Sequence, residues 1–174
     1  MPFEVRPYDR TAAVEYARLW AYGRNPAYFN FQNVGGDCTN FASQCVYAGS
    51  GVMNYTPVYG WYYISVNDRT ASWTGVPYFY NFITGNAGAG PFGRETGIEE
   101  MQPGDVVQLA ISGPQYQHTP VVVEVRGRPS LDNIFVAAHT NDAYRRPLSS
   151  YRFQKIRFVH IEGVRSQRLR PEQE

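Results

Sequence analysis

Apolar positions recur at helical spacing in the first third of the chain and at strand-like spacing in the last. In RTAAVEYARLWAYG, Ala13, Tyr16, Ala17 and Trp20 fall at i, i+3, i+4 and i+7, which predicts an amphipathic helix with Asp9 as its N-cap and a stop near Gly23. NPAYFNFQNVGG carries Asn-Pro, Gly-Gly and no period, and reads as a loop. From Asp37 a second helix follows, with Phe41, Ala42, Cys45 and Ala48 on one face and a stop at Gly49-Ser50-Gly51. Residues 51–73 show no clean alternation, and an irregular stretch of that length is usually kept for function. VPYFYNFIT predicts another helix with Pro77 in its first turn, and GNAGAGPFG (85–93) reads as a flexible connector. After QPGD come four β-rich runs, VVQLAI, TPVVVEV, NIFVAA and KIRFVHI. Helices first and strands second predict an α+β fold, N-terminal helices packed on a mainly antiparallel β-sheet, in one domain over 1–164 with a polar tail at 165–174.

Composition narrows the function classes. The 174 residues are 43% apolar, enough core for one domain and not for two. Sixteen Lys+Arg against 15 Asp+Glu leave a formal charge of +1, which supplies no basic face for nucleic acid and no polybasic membrane anchor. No apolar run approaches the roughly 18 residues of a membrane span. MPFEVRPYDR contains no signal-peptide core, so the expected location is cytoplasmic as written, or secreted or wall-associated if the chain is a trimmed piece. Fourteen Tyr beside 10 Phe and 3 Trp suit either a core or a wet groove, since a phenol joins an apolar ring to a polar tip.

Two cysteines are too few for a disulfide scaffold. In GGDC, Cys38 falls at a helix start, where free N–H groups favour thiolate and the glycines leave room for a substrate carbonyl. A buried small hydrophobe is the alternative. Cys45, two turns on and roughly 10 Å away, reads as core. A cysteine hydrolase also needs a base. His118 precedes the strand TPVVVEV and His139 ends NIFVAAH; a hairpin about GRPS at 127–130 pairs position i with about 257 − i and sets the two histidines opposite each other. His160, alternating with Ile156 and Phe158, reads as structural.

GGDCTNFASQC, the preceding AAVEYARLWAYGRNPAY, and the later SWTG, QPGDVVQL, QHTPVVV and AAHTND, in that order, resemble the putative amidase domain family of bacteria. That family is grouped with papain-like cysteine hydrolases, and DCTNF is similar to the DCSGL-type motif of NlpC-type cell-wall peptidases, to which CHAP hydrolases are also related. The resemblance implies a papain-like fold with Cys38 as nucleophile, His118 as general base, and a third polar residue on the following strand. His139 matches the Cys-His-His version and Asn141 the Asn version; the hairpin pairing favours His139. Pro120 departs from the pattern by removing a ladder N–H near His118.

The implied reaction is hydrolysis of an amide through a thioester, with the Cys38 N–H as oxyanion donor and Gln32 a loop residue at the spacing of a second donor. Asp37 is expected to cap the helix, Asn40 to make a packing hydrogen bond, and Asp105 to serve a turn. No cofactor or metal is expected. The expected partner is a small-molecule or peptide amide, with peptidoglycan peptides the family-level substrate, and neither nucleic acid nor membrane. Two other classes compete: a glycan- or peptide-binding module stacking ligand on Trp61, Tyr62, Tyr63 and Trp73, and a zinc site of Cys38, His118 and His139. On the enzyme reading, Trp61 lines the groove beside Cys38 and Trp73 packs in the core.

Overall fold

Local cap chemistry sets the helix ends. A computed structural model describes residues 2–168. Helix α1 (Arg10–Trp20) opens with Asp9 Oδ1 accepting the Ala12 N–H at 3.0 Å. Helix α2 (Cys38–Ser50) closes at Gly51, whose φ of 65° lets its N–H reach the Tyr47 carbonyl. Short α3 (Ala71–Thr74) leads into α4 (Val76–Gly85), with Pro77 in the first turn where its missing N–H costs nothing. Among the described residues no helix is long and apolar enough to cross a membrane.

The sheet is antiparallel at every pairing. Its strands are β1 (Phe3–Arg6), β4 (Gly90–Thr96), β5 (Val106–Ala110), β6 (Val121–Val125), β7 (Ile134–Ala138), β8 (Ala143–Pro147) and the long β9 (Lys155–Gln167). They run in the order β1-β9-β5-β6-β7-β8, with β4 also on β9, and a small hairpin of β2 (Tyr63–Ser65) and β3 (Asp68–Arg69) stands apart. The protein is thus α+β with a mainly antiparallel sheet. Two boundaries move from their expected places. Strand β9 continues to Gln167, into the stretch read as a tail, because Phe3 of β1 pairs with it; residues 169–174 lie outside the described residues. The glycine-rich connector is partly strand: β4 starts at Gly90, and a Cβ on Gly93 would overlap the His160 carbonyl across the ladder. There glycine marks a close backbone approach at a bulge instead of a flexible link.

The sheet buries both faces. Val121, Val123 and Ala137 meet Ala17 of α1 and Phe41, Ala42 and Cys45 of α2. Val107, Leu109, Val122 and Val136 meet Leu148 and Tyr151 on the reverse. A third cluster lies under α4, where Trp61 and Trp73 are fully buried with ring centroids 4.5 Å apart. Both indoles find partners, Trp61 Nε1 on Ser43 Oγ at 3.1 Å and Trp73 Nε1 on Asn40 Oδ1 at 3.0 Å. Trp61 is therefore core, like Trp73, and not a groove residue. With Tyr63 buried as well, the four aromatics form no exposed stacking platform. The exposed tip of that segment is carried by Tyr55 and Tyr59.

Candidate active site

Gly35 and Gly36, at φ of 85° and 99°, turn the chain so that α2 begins at Cys38. The turn is pinned across the sheet end. Asp37 N–H donates to Thr140 Oγ1 at 3.0 Å, and a Cβ on Gly36 would come within 3.4 Å of that same oxygen. Thr140 and Asn141 both have φ near +60°, which a β-branched threonine adopts only under constraint.

Cys38 is buried, its Sγ 3.7 Å from both Thr39 Oγ1 and the Gln117 carbonyl. Burial pushes the thiol up, and the Thr39 hydroxyl with the N–H groups of Thr119 and Thr39 pull it back in part. Thr39 and Thr119 hydroxyls lie 2.9 Å apart, fastening the first turn of α2 to the segment after His118. Cys38 thus rests against the backbone on both sides of His118. The His118 ring itself makes no hydrogen bond among the described residues. It lies 5.7 Å from the Tyr151 ring, in a cavity of about 450 Å³ that Asn141 and Arg146 also line. Burial, then the charge of Arg146, pushes its pKa down to about 4.

His139 lies elsewhere. Val121 pairs with Ala137 and Val122 with Val136, one residue out of step with the register that would set His118 opposite His139. A slip of one residue sends side chains to opposite faces. His139 consequently stacks on Phe41 of α2 at 4.0 Å, while His118 turns toward Tyr151. The His139 Nδ1 lies 2.5 Å from Asp37 Oδ2, and its Nε2 lies 2.8 Å from the Trp20 carbonyl and 3.2 Å from Arg24 Nη1. It buttresses Asp37, not the His118 imidazole.

Asp37 makes no capping bond to α2. Its carboxylate instead accepts the Phe31 N–H and Asn40 Nδ2, each at 2.9 Å, with Arg24 Nε at 3.5 Å. Burial would raise this carboxyl, but the hydrogen bonds from His139, Asn40 and Phe31 outweigh it and hold the group below its usual range. Sequence reasoning missed Arg24, Thr119 and Thr140. Arg24 pairs with Asp142 at 3.0 Å and also holds Gln32 Oε1 at 3.1 Å, which ties Gln32 into the loop. A lone charge in the GRNP turn was the signal for it; the threonines carried none.

The remaining candidates are structural. Cys45 is fully buried among apolar side chains. His160 Nδ1 lies 2.9 Å from Asp105 Oδ2. Asp105 does more than serve a turn, since it also accepts Arg10 Nη1 at 2.8 Å and the N–H groups of Gln102 and Ile161 at 2.9 Å. Among the described residues no group of three His, Cys, Asp or Glu side chains is arranged to hold a metal ion, so Cys38, His118 and His139 form no zinc site.

Residues 7–162 match the family described as "putative amidase domain". The chain belongs to that family. It is also 38% identical over 119 residues to the "uncharacterized protein YhbB" of Bacillus subtilis (strain 168), a match covering 67% of this chain and 37% of the relative. The match thus spans little more than a third of the relative's length. No solved structure matches the chain. Membership suggests a hydrolase acting on amides.

Proposed function

We propose that the protein is a cysteine-dependent amidase with a papain-like arrangement of helix and sheet. The observation that carries this reading is Cys38 at the first residue of α2, seated against the backbone on either side of His118, with the His118 ring in a cavity. Cys38 attacks the amide carbonyl while His118 takes the thiol proton; the same proton then goes to the departing amine as the C–N bond breaks. Water, deprotonated by His118, attacks the thioester, and the acid leaves as the thiol is restored. Burial raises the Cys38 thiol and leaves the His118 imidazole neutral above about pH 4, so the free protein holds the neutral pair and the proton must move as the S–C bond forms. The Cys38 N–H, at the helix start, is the oxyanion donor.

Asn141 shares the His118 cavity, which supports it as the group that orients the imidazole. His139 is a positioning residue that acts on Cys38 through Asp37. The substrate class is a peptide amide, with the stem peptides of peptidoglycan the first to test.

The experiment is mass spectrometry of a stem-peptide digest incubated with the protein. Cys38→Ser is expected to lose about 10³-fold or more in turnover, and Cys45→Ala to keep it. Equal activity in the two variants would remove Cys38 from the mechanism.

A further inference from the structure

The cavity around His118 carries positive charge with no counter-charge. Arg146 and Arg152 line it with His118, Asn141 and Tyr151, and no acidic side chain is in its wall. Neighbouring carboxylates are engaged elsewhere: Glu124 with Arg126 at 3.0 Å and Arg145 at 3.3 Å, and Asp142 with Arg24. Among the described residues neither Arg146 nor Arg152 has a carboxylate partner.

Arg146 is nonetheless held in place. Its Nε donates to Ser150 Oγ at 2.8 Å, and its guanidinium carbon sits 3.6 Å from the Tyr151 ring centroid. A guanidinium fixed in advance loses little freedom when a ligand arrives. The Tyr151 hydroxyl beneath this stack of contacts is buried and has no hydrogen-bond partner. Its burial keeps it from the cavity, so the guanidinium groups are what a ligand there would meet. Charge-assisted hydrogen bonds to an anion would satisfy both guanidinium groups at once.

We infer that the cavity is a carboxylate subsite, in which Arg146 and Arg152 bind an anionic group of the peptide whose amide Cys38 attacks. That the anion belongs to a peptide under attack by Cys38 rests on the amidase reading; the anion site itself does not. Peptides carry carboxylates at their C-termini and on acidic side chains, and the subsite selects amides close to one.

Binding to the Cys38→Ala protein, which cannot turn ligand over, is measured by NMR titration with N-acetyl-alanyl-glutamate and its fully amidated counterpart. The acid is expected to bind about tenfold or more tighter than the amide, the scale of one charged hydrogen bond. Adding Arg146→Gln should erase that preference without weakening the amidated ligand, and Arg146→Lys should restore part of it. Arg152→Gln, at an exposed position, gives a smaller loss and serves if Arg146→Gln fails to fold. Equal affinity for the two ligands, a preference that survives both substitutions, or tighter binding of inorganic phosphate would overturn the carboxylate subsite. Charge-selective binding without hydrolysis of any amide removes the amidase reading and keeps the subsite. Hydrolysis blind to charge does the reverse.

Discussion

The molecule contains the same chemical unit twice. Asp37 and Asp105 are both buried carboxylates, and each faces the Nδ1 of a histidine, accepts at least one backbone N–H and has a nearby arginine: His139 and Arg24 in one case, His160 and Arg10 in the other. They differ in what they fasten. Asp105 joins the start of β5 to β9 and to the first turn of α1. Asp37 joins the residue before Cys38 to the end of β7 and, through His139, to the last turn of α1. A buried Asp–His couple is therefore no sign of catalysis in itself. Its meaning comes from the element it holds, and only one of the two holds the start of α2.

The largest effect should come from breaking the couples outright. Removing one member of a buried ion pair strands its partners and costs about 3–5 kcal/mol, so Asp37→Ala and Asp105→Ala should both lower stability in chemical denaturation. Only Asp37→Ala should also reduce turnover of the folded fraction, by about 10²-fold, because a small displacement of a nucleophile is enough for that. A comparable turnover loss in Asp105→Ala would break the distinction.

His118, which has no carboxylate, sharpens it. With a folded pKa of about 4 against 6.5 when unfolded, its burial is neutral in energy above pH 6.5 and penalised below, because the unfolded chain takes up the proton first. Stability should fall as pH drops from 6.5 to 4, on the order of 3 kcal/mol in this window, and His118→Gln should remove that slope. The acid limb of kcat/KM should lie near 4; a limb near 6.5 would mean that burial is not felt in the working protein.

The smallest effects concern the histidines of the two couples. His139→Gln and His160→Gln should each cost about 1–3 kcal/mol. His160→Gln should leave kcat alone, whereas His139→Gln should lower kcat with KM little changed, and by less than Asn141→Ala does. The reverse ranking of His139 and Asn141 would assign the main supporting role to His139.

Much of this was legible in the residue pattern, and the misses have physical causes. Asp9 and Gly51 mark helix ends through chemistry that acts within one turn, so α1 and α2 lie where periodicity put them. Runs such as VVQLA and IFVAA read as strands because both sheet faces are buried. Register was not legible, since it depends on how the bulged hairpin closes, and a single residue of slip separates His118 from His139. Strand β4 was hidden by its glycines, which serve a close approach to β9 visible only once the two are paired. Trp61 was misplaced because nothing local foretells that Ser43, on another element, will accept its indole N–H. Asp37 looked like a cap for the same reason: two of the partners that hold it are 6 and 102 positions away.

That last separation has a bearing on how the site comes into being. As the chain is made, Cys38 leaves the ribosome about a hundred residues ahead of His139, and the loop before it has no far anchor. Local helix formation can start α2 early, but the turn that presents the thiol waits for β7, a long-range closure and so a late event in folding. A nascent or nicked chain that lacks β7 holds the cysteine without the framework around it. The order of synthesis therefore keeps the site unassembled until β7 has been made, and a cut anywhere between Asp37 and His139 that frees β7 would dismantle it again.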